Sequence, residues 1–209
     1  MSARDEVLAR IRTALGSDRP HPTEPVRNYR QADGREPGDH ALLDLLTDRL
    51  EDYKATVVRC AAADVAATVT DALRTTLGEH SPADVVVAPG LPADWRPDGA
   101  VEDDGRPAVA LADHAATVTG VSVAIAETGT LALDGSPLSG RRALSLLPDV
   151  LVCVVEGAQV VGSVPEGLAR LDPRAPLTLV SGPSATSDIE LQRVEGVHGP
   201  RTLVVVLVA

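Results

Sequence analysis

Val7, Leu8, Ile11 and Leu15 recur at three- and four-residue intervals between Ser2 and Gly16, and this spacing lays one apolar stripe along a helix. It predicts an amphipathic helix over 4–15, with Ser2 as cap and Gly16 as stop. The period returns at Leu42, Leu46, Leu50 and Tyr53, giving a helix over 39–53, and at Val65, Val69, Leu73 and Leu77, giving one over 64–77 that stops at Gly78. Elsewhere the apolar positions change rhythm. Short runs at 55–60, 84–88, 109–111 and 117–119 read as strands, and Val121, Val123 and Ile125 alternate with smaller residues, as do Leu131 and Leu133, around a turn at Glu127. A short helix is predicted over 139–147, stopped by Pro148. The continuous runs 150–155, 177–180 and 202–208 suit central strands covered on both faces.

Helix and strand patterns alternate, which points to an α/β fold: a three-layer, open, mainly parallel sheet with helices on both faces. Residues 17–38 are polar and rich in Pro and Gly, too poor in apolar surface to fold alone, and read as a linker. The organisation expected is an N-terminal helix and linker over 1–38 and one α/β domain over 39–209. A chain of 209 residues supports one such domain, with roughly 70% of the unfolded surface buried.

Composition narrows the function. A net charge of −11 opposes nucleic acid and anionic membranes as partners, since both select basic faces. Lys54 is the only lysine, and the chain has no phosphate-gripping G-x-x-x-x-G-K-[ST] loop. Phe is absent and the aromatics are Tyr29, Tyr53 and Trp95, which leaves no platform for a flavin or a base. Cys60 and Cys153 lack the paired spacing of a zinc or iron–sulfur site. No redox cofactor or metal is expected. The polar start and the lack of an apolar run approaching about 18 residues fit a cytoplasmic protein with free thiols and no membrane span.

Chemistry concentrates in three turns dense in Gly, Ser, Thr and carboxylates, at 126–130, 181–190 and 196–200. Glu127 leaves an apolar strand ahead of Thr128-Gly129-Thr130, where a partly buried carboxylate is placed for proton transfer or nucleophilic attack, or else accepts hydrogen bonds from its own turn. Ser181, Gly182, Ser184, Thr186 and Ser187 form a small-residue loop whose N–H groups and hydroxyls suit a carboxylate or phosphate. Asp188 and Glu190 oppose an anion there unless Arg141, Arg142 or Arg201 offsets them. His198, between Val197 and Gly199, is a candidate acid or base near neutral pH. Glu127, Asp188 and His198 lack the local spacing of a metal site, and Ser184, His198 and Asp188 lack the elbow of a hydrolytic triad. Open α/β sheets bind ligands at the carboxyl ends of their strands, so these residues are expected to converge there.

In order along the chain, Ala126-Glu127-Thr128-Gly129-Thr130, Ser145-Leu146-Leu147-Pro148, Ser181 through Glu190, and Gly196-Val197-His198-Gly199-Pro200-Arg201 resemble the lactate utilization protein C family (LutC/YkgG type), also described as the LUD domain. The resemblance implies a fold similar to the glucosamine-6-phosphate isomerase, ribose-5-phosphate isomerase and coenzyme A transferase superfamily. It also implies a part in oxidising L-lactate to pyruvate beside an iron–sulfur protein and a cysteine-rich protein. On this basis Glu127, Asp188 and His198 are the candidate catalytic residues. Thr128, Gly129, Thr130, Ser181, Gly182, Ser184, Thr186, Glu190 and Arg201 are the candidates for binding a small carboxylate. Ala185 departs from the family, whose members often carry a basic residue in that loop, which weakens anion recognition by the loop. The alternative is a stand-alone acyl or coenzyme A transferase with Glu127 as nucleophile, because Ala126-Glu127-Thr128-Gly129 loosely resembles the Glu-Asn-Gly turn of class I coenzyme A transferases; no companion G-x-G-G-F motif is present.

Overall fold

The computed structural model describes residues 2–16, 24–186, 194–195 and 199–209. In chain order its elements are α1 (Ala3–Leu15), α2 (His40–Asp52), β1 (Thr56–Cys60), α3 (Val65–Leu77), β2 (Val85–Val87), β3 (Val101–Glu102), β4 (Ala116–Gly120), β5 (Val123–Ile125), β6 (Thr130–Leu133), β7 (Val150–Glu156), β8 (Val160–Val161), α4 (Val164–Ala169), β9 (Thr178–Val180), β10 (Ala185–Thr186), β11 (Val194–Glu195) and β12 (Thr202–Val208).

The large sheet has the order β1-β12-β7-β4-β2-β3, and every adjacent pair runs parallel. Its centre explains the continuous apolar runs. Along β7, Val150, Val152 and Val154 join the cluster under α3, while Leu151, Cys153 and Val155 face the cluster under α2. Along β12, Val204 and Val206 face α3, and Leu203, Val205 and Leu207 face α2. A strand buried on both faces has no polar side to show, so its period of two is hidden.

On the α2 side lies a second sheet of order β8-β5-β6-β9, with β5 parallel to β8 and antiparallel to β6. α4 covers its outer face through Val164, against Val123, Ile125, Ala132 and Val161. The mainly parallel sheet with helices on both faces is thus present, and the smaller sheet is an addition that the sequence pattern did not reveal.

α2 starts at its Asp39 cap, whose carboxylate accepts from the Ala41 N–H, and buries Leu42, Leu43, Leu46 and Leu50. Each such leucine contributes about 2 kcal/mol relative to exposure. α3 buries Val65, Val69 and Leu73 and ends at Gly78. α1 has the expected capping box from Ser2 and Asp5, yet buries no residue; Val7, Ile11 and Leu15 are 56, 48 and 56% exposed.

Three expectations are corrected. Residues 109–111 belong to a 3₁₀ turn, Ala108–Asp113, entered from Pro107, whose carbonyl accepts from the Ala110 N–H. Residues 139–147 form successive turns instead of a helix, because Gly140 sits at φ 69° and the bonds from Leu144, Ser145 and Leu146 reach back only three residues. The run 177–180 is the outer strand of the small sheet, with Leu179 exposed.

Candidate functional site at the amino edge of the parallel sheet

The turn at 126–129 closes the β5–β6 hairpin and packs against the end of α2. Gly129 is in the left-handed region at φ 58°, and a Cβ there would lie 2.8 Å from Arg49 Cβ. Gly182, at φ 91°, meets the next turn of the same helix end, where a Cβ would lie 2.6 Å from Tyr53 Cβ. Both positions combine a backbone that glycine alone adopts easily with a contact that excludes a side chain. They bring two of the sequence turns onto one helix end.

Hydroxyls join them. Thr128 Oγ1 and Thr130 Oγ1 are 2.8 Å apart, and Thr130 Oγ1 is 2.8 Å from Ser181 Oγ. The run leads from buried Thr130 to exposed Ser181. Thr130 Oγ1 also lies within donating distance of Thr128 O at 3.5 Å, so this long bond competes for the one proton that the two hydroxyl–hydroxyl bonds leave over, while several lone pairs remain for another partner.

Ser184 carries the arrangement on to the segment before β12. Its N–H donates to Pro200 O at 2.8 Å, and a Cβ on Gly199 would lie 3.4 Å from Ser184 Cβ and 3.7 Å from Leu146 Cδ2. That backbone donor is therefore not open to an anion, contrary to the nest expected of the Ser181–Ser184 loop. Arg201 stands beside Asp149 with Nε 3.7 Å from Oδ1, both side chains more than half exposed. Among the described residues the turns at 126–130, 145–148, 181–184 and 199–201 form a connected set.

Their location differs from the one expected. Glu127 follows the carboxyl end of β5, but Ser184 and Pro200 lie just ahead of β12, at the amino edge of the large sheet. The reason is topological: β12 runs parallel to β1 and β7, so its amino end lies at the same sheet edge as theirs, and Ser184 is tied to the chain entering there. Thr186 ends the first strand of a two-stranded ribbon in which Ala185 pairs with Glu195 and Thr186 with Val194. Asp188, Glu190 and His198 lie outside the described residues, as does Ser187.

Glu127 turns to other partners. Its Oε1 accepts from the Val164 N–H at 2.8 Å, where α4 begins, and its Oε2 is ion-paired with Arg30, which the pattern had placed in a linker. Its own N–H donates to Gly162 O at 3.1 Å. Beside it Glu166 accepts from the Ser163 O–H at 2.6 Å and N–H at 2.8 Å, and the Ser163 hydroxyl bond holds the Glu166 carboxyl below the ordinary glutamate range. No spacing signal in the sequence marks Arg30 or Val164 as partners of Glu127.

The carboxyl ends of β2 and β4 are occupied by residues 134–141. Gly90 N–H donates to Pro137 O at 2.8 Å, and Gly120 N–H donates to Leu138 O at 3.0 Å. Burial alone would raise the Asp134 carboxyl, but hydrogen bonds from Ser136 and Ser122 outweigh it and hold that carboxyl low. Arg141 grips Asp103 with Nε at 2.7 Å and a terminal nitrogen at 2.8 Å, so this guanidinium serves the carboxyl edge.

The cysteines are separated by the sheet itself. Cys60 packs against the α3 cluster and Cys153 lies in the α2 cluster, where burial pushes its thiol up to about 12. Among the described residues no three His, Cys, Asp or Glu side chains are grouped to hold a metal ion, and no helix is long and apolar enough to cross a membrane.

Comparison with known proteins adds the lineage. The family model of the LUD domain matches residues 43–208. Lactate utilization protein C of Deinococcus radiodurans is 40% identical over 213 residues, spanning 99% of this chain and 95% of its own. Lactate utilization protein C of Bacillus pumilus is 31% identical over 123 residues, 54% of this chain and 49% of its own. A crystal structure of a DUF162 family protein from Deinococcus radiodurans is similar with a TM-score of 0.66 and 34% identity, over 81% of this chain and 97% of that one.

Proposed function

The chain belongs to the LUD domain family, and from that premise we propose that it serves in lactate utilization, as the non-redox member of a system that oxidises L-lactate to pyruvate beside an iron–sulfur protein and a cysteine-rich protein. The near full-length similarity to a lactate utilization protein C supports the pathway. One structural observation supports the non-redox role: the two thiols sit on opposite faces of the large sheet, so they cannot jointly ligate a cluster, and the Cys153 thiol stays protonated near neutral pH.

The small-carboxylate surface in this reading is the hydroxyl run Thr128–Thr130–Ser181 with Ser184 beside it, and Arg201 supplies a nearby cation. Neutral hydroxyls bind a carboxylate weakly but with direction, which suits positioning more than capture. Glu127 is the candidate acid–base at its border, with Asp188 and His198 as further candidates. Acyl transfer through Glu127 would require its carboxylate to be freed from Arg30.

The test is a deletion of the gene in a host with no paralogue and no other lactate dehydrogenase. Growth on L-lactate should fail and growth on pyruvate should persist, and this chain in trans should restore growth on L-lactate. Normal growth of the deletion strain on L-lactate contradicts the assignment.

A further inference from the structure

The segment ahead of α2 lies across the Glu127 border at three points of unequal strength. Nearest α2, Gly38 donates its N–H to Val160 O at 3.1 Å, and it passes Gly157 so closely that a Cβ at 38 would lie 3.2 Å from that carbonyl carbon. In the middle, Asp33 N–H donates to Glu166 Oε2 at 3.1 Å, the oxygen that also holds Ser163. The Asp33 carboxylate is gripped by Arg35, which keeps it below the ordinary aspartate range. The body of Asp33 rests on Gly162, where an added Cβ would be 2.3 Å from Asp33 Cβ. Only glycine at 162 admits the segment. At the far end Arg30 is ion-paired with Glu127, with side chains 57 and 28% exposed, and its other terminal nitrogen lies 4.0 Å from Asp33 Oδ2.

The first two contacts are fixed by backbone groups and close approach. The third depends on an exposed pair that water competes for and salt screens. The segment is therefore built to open from its Arg30 end while Asp33 stays seated. We propose that residues 30–33 are a latch over Glu127. With the latch closed, Arg30 neutralises Oε2; with it open, Oε2 faces solvent and Oε1 remains on the Val164 N–H, so the carboxylate keeps its orientation while it becomes reachable. This latch rests on the reading that the Glu127 turn borders the working surface. Its physical opening can be measured without lactate.

The experiment is carbodiimide-driven coupling of an amine to Glu127 in the purified full-length chain, followed by peptide mass spectrometry. Arg30→Gln should raise the rate of Glu127 modification several-fold over the wild type, and Arg30→Lys should stay near it. About 1 M salt, where the screening length is roughly 3 Å, should move the wild type toward Arg30→Gln. Gly162→Ala, which unseats Asp33 as well, should raise the rate and open the Arg35 bond to trypsin. Equal modification in wild type and Arg30→Gln overturns the latch, including the case in which Gly162→Ala alone raises it, since the cover would then reside at Asp33. No growth phenotype enters this readout, so a failed lactate assignment and a failed latch remain distinguishable.

Discussion

The two edges of the parallel sheet solve opposite problems with the same residue types. At the carboxyl edge, glycines bring backbone onto backbone: Gly90 against Pro137, and Gly120 under Leu138, with the intervening groups bonded to each other. At the amino edge, Gly129 and Gly182 press their turns against α2 and leave hydroxyls standing at the surface. The rule that open α/β sheets bind ligands at carboxyl ends describes where loops are free to diverge. Here residues 134–141 fill the ends of β2 and β4, and the residue types suited to ligand contact gather where the chain enters β12.

Substitutions can break that comparison. The largest loss of stability is expected from Gly90→Ala, because its Cβ would sit 2.6 Å from Pro137 Cβ and 2.7 Å from the Pro137 carbonyl carbon. Overpacking of this kind costs about 3 kcal/mol, read as a fall in the urea midpoint with unchanged slope. An unaltered midpoint would show the carboxyl edge to be looser than described. Gly129→Ala should cost about 2 kcal/mol, through left-handed backbone and contact with Arg49 together.

Acid should act more gently and locally. Glu166 has its folded value depressed by Ser163, so the stability it contributes is complete above the ordinary glutamate range and is lost as pH falls through the folded value. Protection of the Asp33 and Ser163 amides from hydrogen exchange, measured relative to the intrinsic rate at each pH, should therefore fall below that range, ahead of protection in β7 and β12. Simultaneous loss would contradict a separable segment. The smallest effect concerns Lys54, the non-glycine residue described at positive φ, 72°, where α2 turns into β1. Lys54→Gly should stabilise the fold by up to about 1 kcal/mol, and destabilisation would mean that the side chain supports the amino edge.

The sequence disclosed those elements whose burial follows one local period. α2 and α3 were legible because one stripe of each meets a sheet, and 150–155 and 202–208 because both faces are covered. α1 carries the same stripe and buries none of it, since periodicity predicts a face and says nothing of its partner. The 109–111 and 139–147 segments were misread because apolar residues in tight turns mimic short strands and helices. The Thr128–Thr130–Ser181 run was partly legible as clustered turn residues. The pairing of Glu127 with Arg30, 97 positions away, was not, since no local rule reports a contact made by folding.

The central claim is that the amino-edge hydroxyls form the working surface of a lactate-utilization protein. The double variant Thr130→Val with Ser181→Ala tests it most directly, because it removes two linked hydroxyls at a cost of about 1 kcal/mol each and keeps the valine shape in the core. The midpoint of thermal unfolding should fall by no more than about 4–8 °C, leaving the variant folded, and the deletion strain carrying it should grow on pyruvate and fail on L-lactate. A folded variant that supports wild-type growth on L-lactate would contradict the account.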